Sequence, residues 1–256
     1  MKVVLFCGGL GLRLRDYSDA IPKPLVPVGP QPVLWNVMRY YAHYGHKDFI
    51  LCLGHQGEAI KQFFLGYNEA MANDFTMSEG GAAIDLHQSD IHDWKITFVD
   101  TGLRSNIGER LKRVQEHLEG EDVFLANYSD GLTDLPLDDY LPFARQHDKV
   151  ACFVSVKPAT SFHVVDSNPS GLVTHIRPGS ESARINCGYF VLKREIFDYM
   201  EQGDELVVEP FHRLIDKKQL VTYEYDGFWE CMDTFKDKQQ LDDMYAQGDT
   251  PWVVWK

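Results

Sequence analysis

The chain has 256 residues, an ordinary length for one α/β domain, which is the organisation expected for residues 1–256. With 44% hydrophobic and 25% charged residues it is neither disordered nor fibrous, and a net charge of −13 argues against nonspecific nucleic-acid binding. Only five apolar residues, Val3 to Cys7, follow Lys2, too few for a signal peptide, and no run nears the roughly 18 residues of a membrane span. A cytoplasmic protein that partners neither nucleic acid nor membrane is expected. The five cysteines include no C-x-x-C pair, so neither a zinc site nor a disulfide framework is indicated. Residues 1–50 hold six basic and three acidic side chains in an otherwise acidic protein, which points to a small anionic ligand held near the N-terminus.

In chain order, Lys2–Cys7 reads as a buried parallel strand. A Gly/Pro-rich loop runs from Gly8 to Gln31. Val33–Tyr44 is a helix with Pro32 near its first turn, Phe49–Leu53 a strand, and Gln56–Gly66 a helix. Residues 68–93 are polar and read as an irregular excursion. Lys95–Asp100 is a strand, Gly108–Leu118 a helix, Val123–Ala126 a strand, Pro136–His147 a helix and Val150–Val156 a strand. The second half changes character. Phe162–Asp166, Gly171–Ile176 and Asn186–Leu192 read as shorter strands of mixed sense. Helices follow near 194–200 and 207–217, then a strand at Leu220–Tyr225 and a helix at Thr234–Ala246. The first half predicts an α/β fold: a mixed, mostly parallel, Rossmann-like sheet with helices on both faces. The second half adds a small accessory β-sheet.

Gly8-Gly9-Leu10-Gly11-Leu12-Arg13-Leu14 directly follows the first strand. Ligands of open α/β sheets bind outside the carboxyl ends of the strands, and glycines there let backbone N–H groups approach phosphate oxygens. The dinucleotide fingerprint fails, because its last glycine falls at Leu14, and no G-K-[ST] tripeptide exists for a P-loop. Lys23 lies in Pro22-Lys23-Pro24, where two prolines deny the segment a helix and fix its path.

These residues carry a resemblance. Gly8-Gly9-Leu10-Gly11-x-Arg13-Leu14 followed by Pro22-Lys23-Pro24-Leu25 resembles the signature of sugar-1-phosphate nucleotidyltransferases. Val99-Asp100-Thr101-Gly102, Gly108-Glu109-Arg110-Leu111-Lys112-Arg113-Val114, Gly227-Phe228-Trp229-Glu230-Cys231-Met232-Asp233-Thr234 and Pro251-Trp252-Val253-Val254-Trp255-Lys256 are similar to the glucose-1-phosphate cytidylyltransferase branch. The resemblance implies a nucleotidyltransferase GT-A-like fold and an oligomeric enzyme. It implies that Gly8, Gly9, Gly11, Leu12, Ser105, Arg110 and Ser129 lie at the nucleotide, that Arg13 and Lys23 serve catalysis, and that Arg177 and Asn186 meet the acceptor. It also implies that Asp130 and Asp233 hold magnesium between them. Local sequence alone favours a turn-forming Asp-Gly for Asp130, and supports a helix N-terminal residue at least as well as a metal ligand for Asp233.

The chain departs from the family at three places. Leu12 stands where Thr or Ser is common. Ile176-Arg177-Pro178 replaces Glu-Lys-Pro, so the acceptor cation becomes a planar fork and a sugar-binding carboxylate is lost. Asn186-Cys187-Gly188 replaces Asn-Gly-Gly, and Arg184 nearby offers a second anion contact. The expected function is magnesium-dependent transfer from CTP to a phosphorylated acceptor, α-D-glucose 1-phosphate by default. UTP or dTTP as donor, a phosphorylated non-sugar acceptor, and a regulatory homologue without turnover are the alternatives.

Overall fold

Alternate residues of the first strand feed two different cores. Val3 and Leu5 pack on one side of the sheet, and Val4 and Phe6 on the other. A strand buried on both faces must be apolar throughout, which is why Lys2–Phe6 reads as a continuous run. The computed structural model describes residues 1–9, 21–158, 163–179 and 183–255; Gly11, Leu12 and Arg13 lie outside the described residues.

The strands and α-helices in chain order are β1 (Lys2–Phe6), β2 (Pro27–Val28), β3 (Gln31–Pro32), α1 (Val33–His43), β4 (Asp48–Leu53), α2 (Gly57–Leu65), α3 (Glu69–Ala72), β5 (Phe75–Ser78), β6 (Ala83–Leu86), β7 (Lys95–Asp100), α4 (Ile107–Arg113), β8 (Val123–Tyr128) and β9 (Gly131–Thr133). They continue with α5 (Leu137–His147), β10 (Ala151–Val156), β11 (His163–Ser167), β12 (Val173–Pro178), β13 (Ile185–Lys193), α6 (Glu209–Asp216), β14 (Leu220–Tyr225), β15 (Trp229–Cys231) and α7 (Phe235–Ala246).

Seven strands form the central sheet in the order β14-β10-β13-β8-β1-β4-β7. β1 pairs in parallel with β4 and β8, and β7 and β14 join in parallel at the two edges. β13 runs antiparallel to both of its neighbours. Helices α1 and α5 cover one face, with Leu241 of α7 and Trp252 in the same core. Helices α4 and α6 cover the other through Leu111, Phe211 and Leu214.

The mixed α/β architecture is the one expected from the alternation of strands and helices. Three local readings change. The excursion at 68–93 is ordered by short α3 and the hairpin β5–β6. β13, read among the shorter strands of the second half, belongs to the central sheet, as β14 does; the exposed hairpin β11–β12 forms a separate small sheet. The Lys23 segment, denied an α-helix by its prolines, takes one 3-10 turn over Lys23–Leu25, with buried Pro24 inside it. Among the described residues no helix is long and apolar enough to cross a membrane.

Candidate active site

Parallel pairing places the carboxyl ends of β8, β1, β4 and β7 side by side along one edge. Ser129 and Asp130 follow β8, Gly8 and Gly9 follow β1, Gly54 follows β4, and Thr101 follows β7. Beside Gly54 a cleft of about 360 Å³ opens, lined by Leu53, Gly54, Gln56, Lys61 and Asp100.

Asp130 and Asp233 are far apart in the chain, and a short ladder joins them. β9 and β15 pair antiparallel with Gly131 opposite Cys231, and the Met232 N–H extends the pairing by donating to the Asp130 carbonyl at 2.9 Å. Asp130 immediately precedes β9, and Asp233 lies two residues past the end of β15. Asp233 is then held by α7, whose capping box joins Thr234 and Asp237; the Asp237 carboxylate also accepts the Asp233 N–H at 3.1 Å.

Lys23 enters from its 3-10 turn. Its Nζ lies 2.5 Å from Asp130 Oδ2 and 2.5 Å from Asp233 Oδ1. Burial works against the ammonium charge, but the two carboxylates outweigh it and hold the Lys23 pKa above the ordinary lysine value. Two anionic oxygens thus converge on one cationic point. That donor set suits a magnesium ion, which takes hard oxygens from one or two carboxylates and fills its octahedron with water and phosphate. Among the described residues no group of three or more His, Cys, Asp or Glu side chains is placed to hold a metal ion.

Arg110 is turned inward. It is 2% exposed. Its guanidinium donates to the Leu53 carbonyl at 3.0 Å, to Thr101 Oγ1 at 2.7 Å and to the Gly8 carbonyl at 2.8 Å. It lies beneath the start of the glycine loop, and three of its donors are spent on protein. Neither Gly8 nor Gly54 takes a left-handed conformation; a Cβ at Gly8 would lie 2.0 Å from this guanidinium, and one at Gly54 would lie 2.8 Å from both the guanidinium and the Gly8 carbonyl oxygen. Thr101 and Gly54 are site residues that sequence reading missed. A second glycine directly after a second apolar strand was the available signal for Gly54.

The other expected site residues divide. Ser129 is buried, and its hydroxyl donates to the Phe6 carbonyl at 2.9 Å, joining β8 to β1. Ser105 donates to the Thr101 carbonyl at 2.5 Å, beside the Gly102 turn. Both hydroxyls serve local structure here. Gly9 is exposed. Asn186 accepts the Gly188 N–H at 2.9 Å and reaches the Tyr128 hydroxyl at 3.5 Å. Arg177 stands on the hairpin β11–β12, where its NH1 lies 2.9 Å from Asp166. Arg184, expected as a second anion contact, spends its guanidinium on Asp226, Glu224 and the Ser155 and Tyr225 carbonyls.

Residues 2–239 match the family model described as nucleotidyl transferase. The chain is 36% identical over 259 residues to a Salmonella typhimurium glucose-1-phosphate cytidylyltransferase, covering 100% of both chains. It is 33% identical over 258 residues to a Bacillus subtilis protein named probable glucose-1-phosphate cytidylyltransferase, again covering 100% of both. A solved UDP-glucose pyrophosphorylase in complex with UDP-glucose shares the fold, with a TM-score of 0.70 at 15% identity, over 96% of this chain and 98% of that one.

Proposed function

The chain belongs to the nucleotidyl transferase family, and we propose that within it this protein transfers the cytidylyl group of CTP to a phosphorylated sugar. The default acceptor is α-D-glucose 1-phosphate. Full-length similarity to proteins named for that reaction supports the donor and the acceptor. The convergence of Lys23, Asp130 and Asp233 is the observation that carries the chemistry.

An acceptor phosphate oxygen attacks the α-phosphorus of CTP. The new O–P bond forms as the bond from that phosphorus to the bridging oxygen breaks, and pyrophosphate leaves. The acceptor phosphate is ionised at neutral pH, so no general base is required. Positioning and charge neutralisation supply most of the acceleration. Lys23 neutralises charge at the α-phosphate once its carboxylate partners are occupied otherwise. Asp130 and Asp233 would hold magnesium, which when bound neutralises and orients phosphate oxygens. The glycine loop and Arg13 hold the triphosphate, with Ser105 and Ser129 shaping the ends of its strands. Arg177 and Asn186 face the acceptor.

A second acceptor reading rests on Ile176, which is 65% exposed on β12 and whose side chain has no hydrogen-bonding atom. With an isoleucine there, a phosphorylated acceptor that does not need a carboxylate partner at this position becomes the alternative substrate.

The test is a matrix of nucleoside triphosphates against phosphorylated acceptors, scored by pyrophosphate release. CTP with a sugar 1-phosphate should give the highest kcat/KM. Dominance of UTP or dTTP would overturn the base assignment. Absence of turnover for every pair would favour the regulatory alternative.

A further inference from the structure

The amino edge of the central sheet carries a second cavity, of about 220 Å³. β8 and β10 begin beside it and β13 ends there. Val123 opens β8 and lines the cavity, whereas Asp130 lies beyond the other end of that strand. The length of β8, about 17 Å at the usual rise per residue, keeps the two places apart.

The floor is apolar, made by Val123, Ala144 of α5, Cys152 of β10 and Val191 of β13. Val191 is paired with Cys152 across one ladder, and Lys193 with Val123 across the other. Residues two apart share a face of a strand, so Lys193 rises from the same side as Val191. α5 offers only the methyl group of Ala144 over this floor, and the gap between helix and sheet stays open.

The mouth is charged. Arg145, Lys149 and Lys193 meet there with one carboxylate, Asp148, in a chain whose net charge is −13. Asp148 closes α5 in a left-handed conformation, with φ +50°, and its carboxylate holds Lys193 Nζ at 2.6 Å. Among the described residues Arg145 and Lys149 form no such ion pair. A cation in the last turn of a helix is explained by the helix dipole, which accounts for Arg145. Lys149 and Lys193 stand outside the helix, so the dipole does not account for them. Burial first, then the N-terminal ammonium and Arg145, lower the pKa of His46 to about 4, which shows the positive field extending along this edge.

We infer that this cavity binds a small organic acid, its carboxylate between Arg145 and Lys149 and its short apolar body over Val123, Ala144, Cys152 and Val191. An apolar floor favours a hydrocarbon group over water. The planar fork of an arginine matches a carboxylate. The volume lies below the roughly 300–1,000 Å³ of pockets that take larger ligands, so a nucleotide or nucleotide sugar does not fit. The site shares no residue with the one proposed for nucleotidyl transfer and does not depend on that reading.

Hexanoate is the probe. In protein carrying ¹³C in its alanine and valine methyl groups, hexanoate should shift the Val123, Ala144 and Val191 resonances saturably. Hexylamine has the same apolar body and the opposite charge, and should bind at least tenfold more weakly. The double variant Arg145→Gln/Lys149→Gln should also weaken hexanoate at least tenfold. Ala144→Leu should fill the floor and abolish the shifts at Val123 and Val191. The double variant decides the matter by itself if Ala144→Leu does not fold, because Arg145 is exposed and Lys149 only partly buried. Methyl resonances at Val123, Ala144 and Val191 that stay unmoved up to tens of millimolar hexanoate overturn the inference. So does hexylamine binding as tightly as hexanoate, or a double variant with wild-type affinity, since the charged mouth would then play no part.

Discussion

Lys23 occupies the point where a cation bound by Asp130 and Asp233 would sit, 2.5 Å from each. Its removal should lower turnover by at least about a hundredfold, since loss of one preorganised charge-stabilising group costs on the order of 3 kcal/mol at the transition state. Steady-state kinetics of Lys23→Ala check this, and near wild-type turnover would remove Lys23 from the chemistry. Asp130→Asn and Asp233→Asn should each abolish metal-dependent activity, because a neutral amide is a far weaker magnesium ligand than a carboxylate. Magnesium titrations of activity decide it: a variant that keeps the wild-type midpoint and maximum has not lost a ligand. Residue types at the site were legible in the sequence, and residue orientations were not. Asp130 followed by glycine reads locally as a turn, and nothing around it announces a partner more than a hundred positions away. Arg110 and Ser129, which the resemblance put at the nucleotide, turn their polar atoms inward to backbone carbonyls. Which way a side chain turns depends on the strand ends packed against it, and these come from distant parts of the chain.

At the scale of elements, strands with continuous apolar runs and helices with a clear period were readable to within a few residues. Lys95–Asp100 and Leu220–Tyr225 fall where expected. The two-residue strands around Gly29 and the three-residue strands β9 and β15 were not readable, because so few residues carry no periodicity. Yet β9 and β15 are the elements that bring the two aspartates together. The edge near Asn186 depends on a different device. Gly188 has φ +83°, and a Cβ there would lie 2.3 Å from the Tyr128 ring. Gly188→Ala should cost about 1–3 kcal/mol for the left-handed backbone alone, read as a lower urea midpoint at unchanged slope. An unchanged midpoint would show that β13 relaxes freely there. The hairpin β11–β12 carries the acceptor question. Arg177 lies against Asp166, so an incoming phosphate must compete with that carboxylate. Arg177→Ala should raise the acceptor KM much more than the CTP KM, and a rise confined to CTP would move Arg177 to the nucleotide.

Across the whole molecule the sheet separates two jobs. Its carboxyl edge gathers the site, while its amino edge, where α1 returns into β4, holds His46 close to the Met1 amino group. His46 is partly buried, and its Nδ1 has no hydrogen-bond partner among the described residues. Burial, the N-terminal ammonium and Arg145 lower its pKa from 6.5 to about 4, against a weaker opposing pull from Asp138. The folded protein therefore keeps His46 neutral where the unfolded chain protonates it. Above pH 6.5 both states are neutral and the full stability is present. As the pH falls from 6.5 towards 4 the unfolded state binds the extra proton, stability drops, and the loss levels off once the folded state protonates too. Unfolding near pH 5 should take up about one proton fewer in His46→Asn than in the wild type, read from the dependence of urea unfolding free energy on pH. Because His46 lies at the edge opposite the site, the substitution should leave the Michaelis constants for both substrates unchanged at neutral pH. An identical pH dependence in the two proteins would mean that His46 titrates normally in the fold. A shifted Michaelis constant at neutral pH would mean that the two edges of the sheet are coupled.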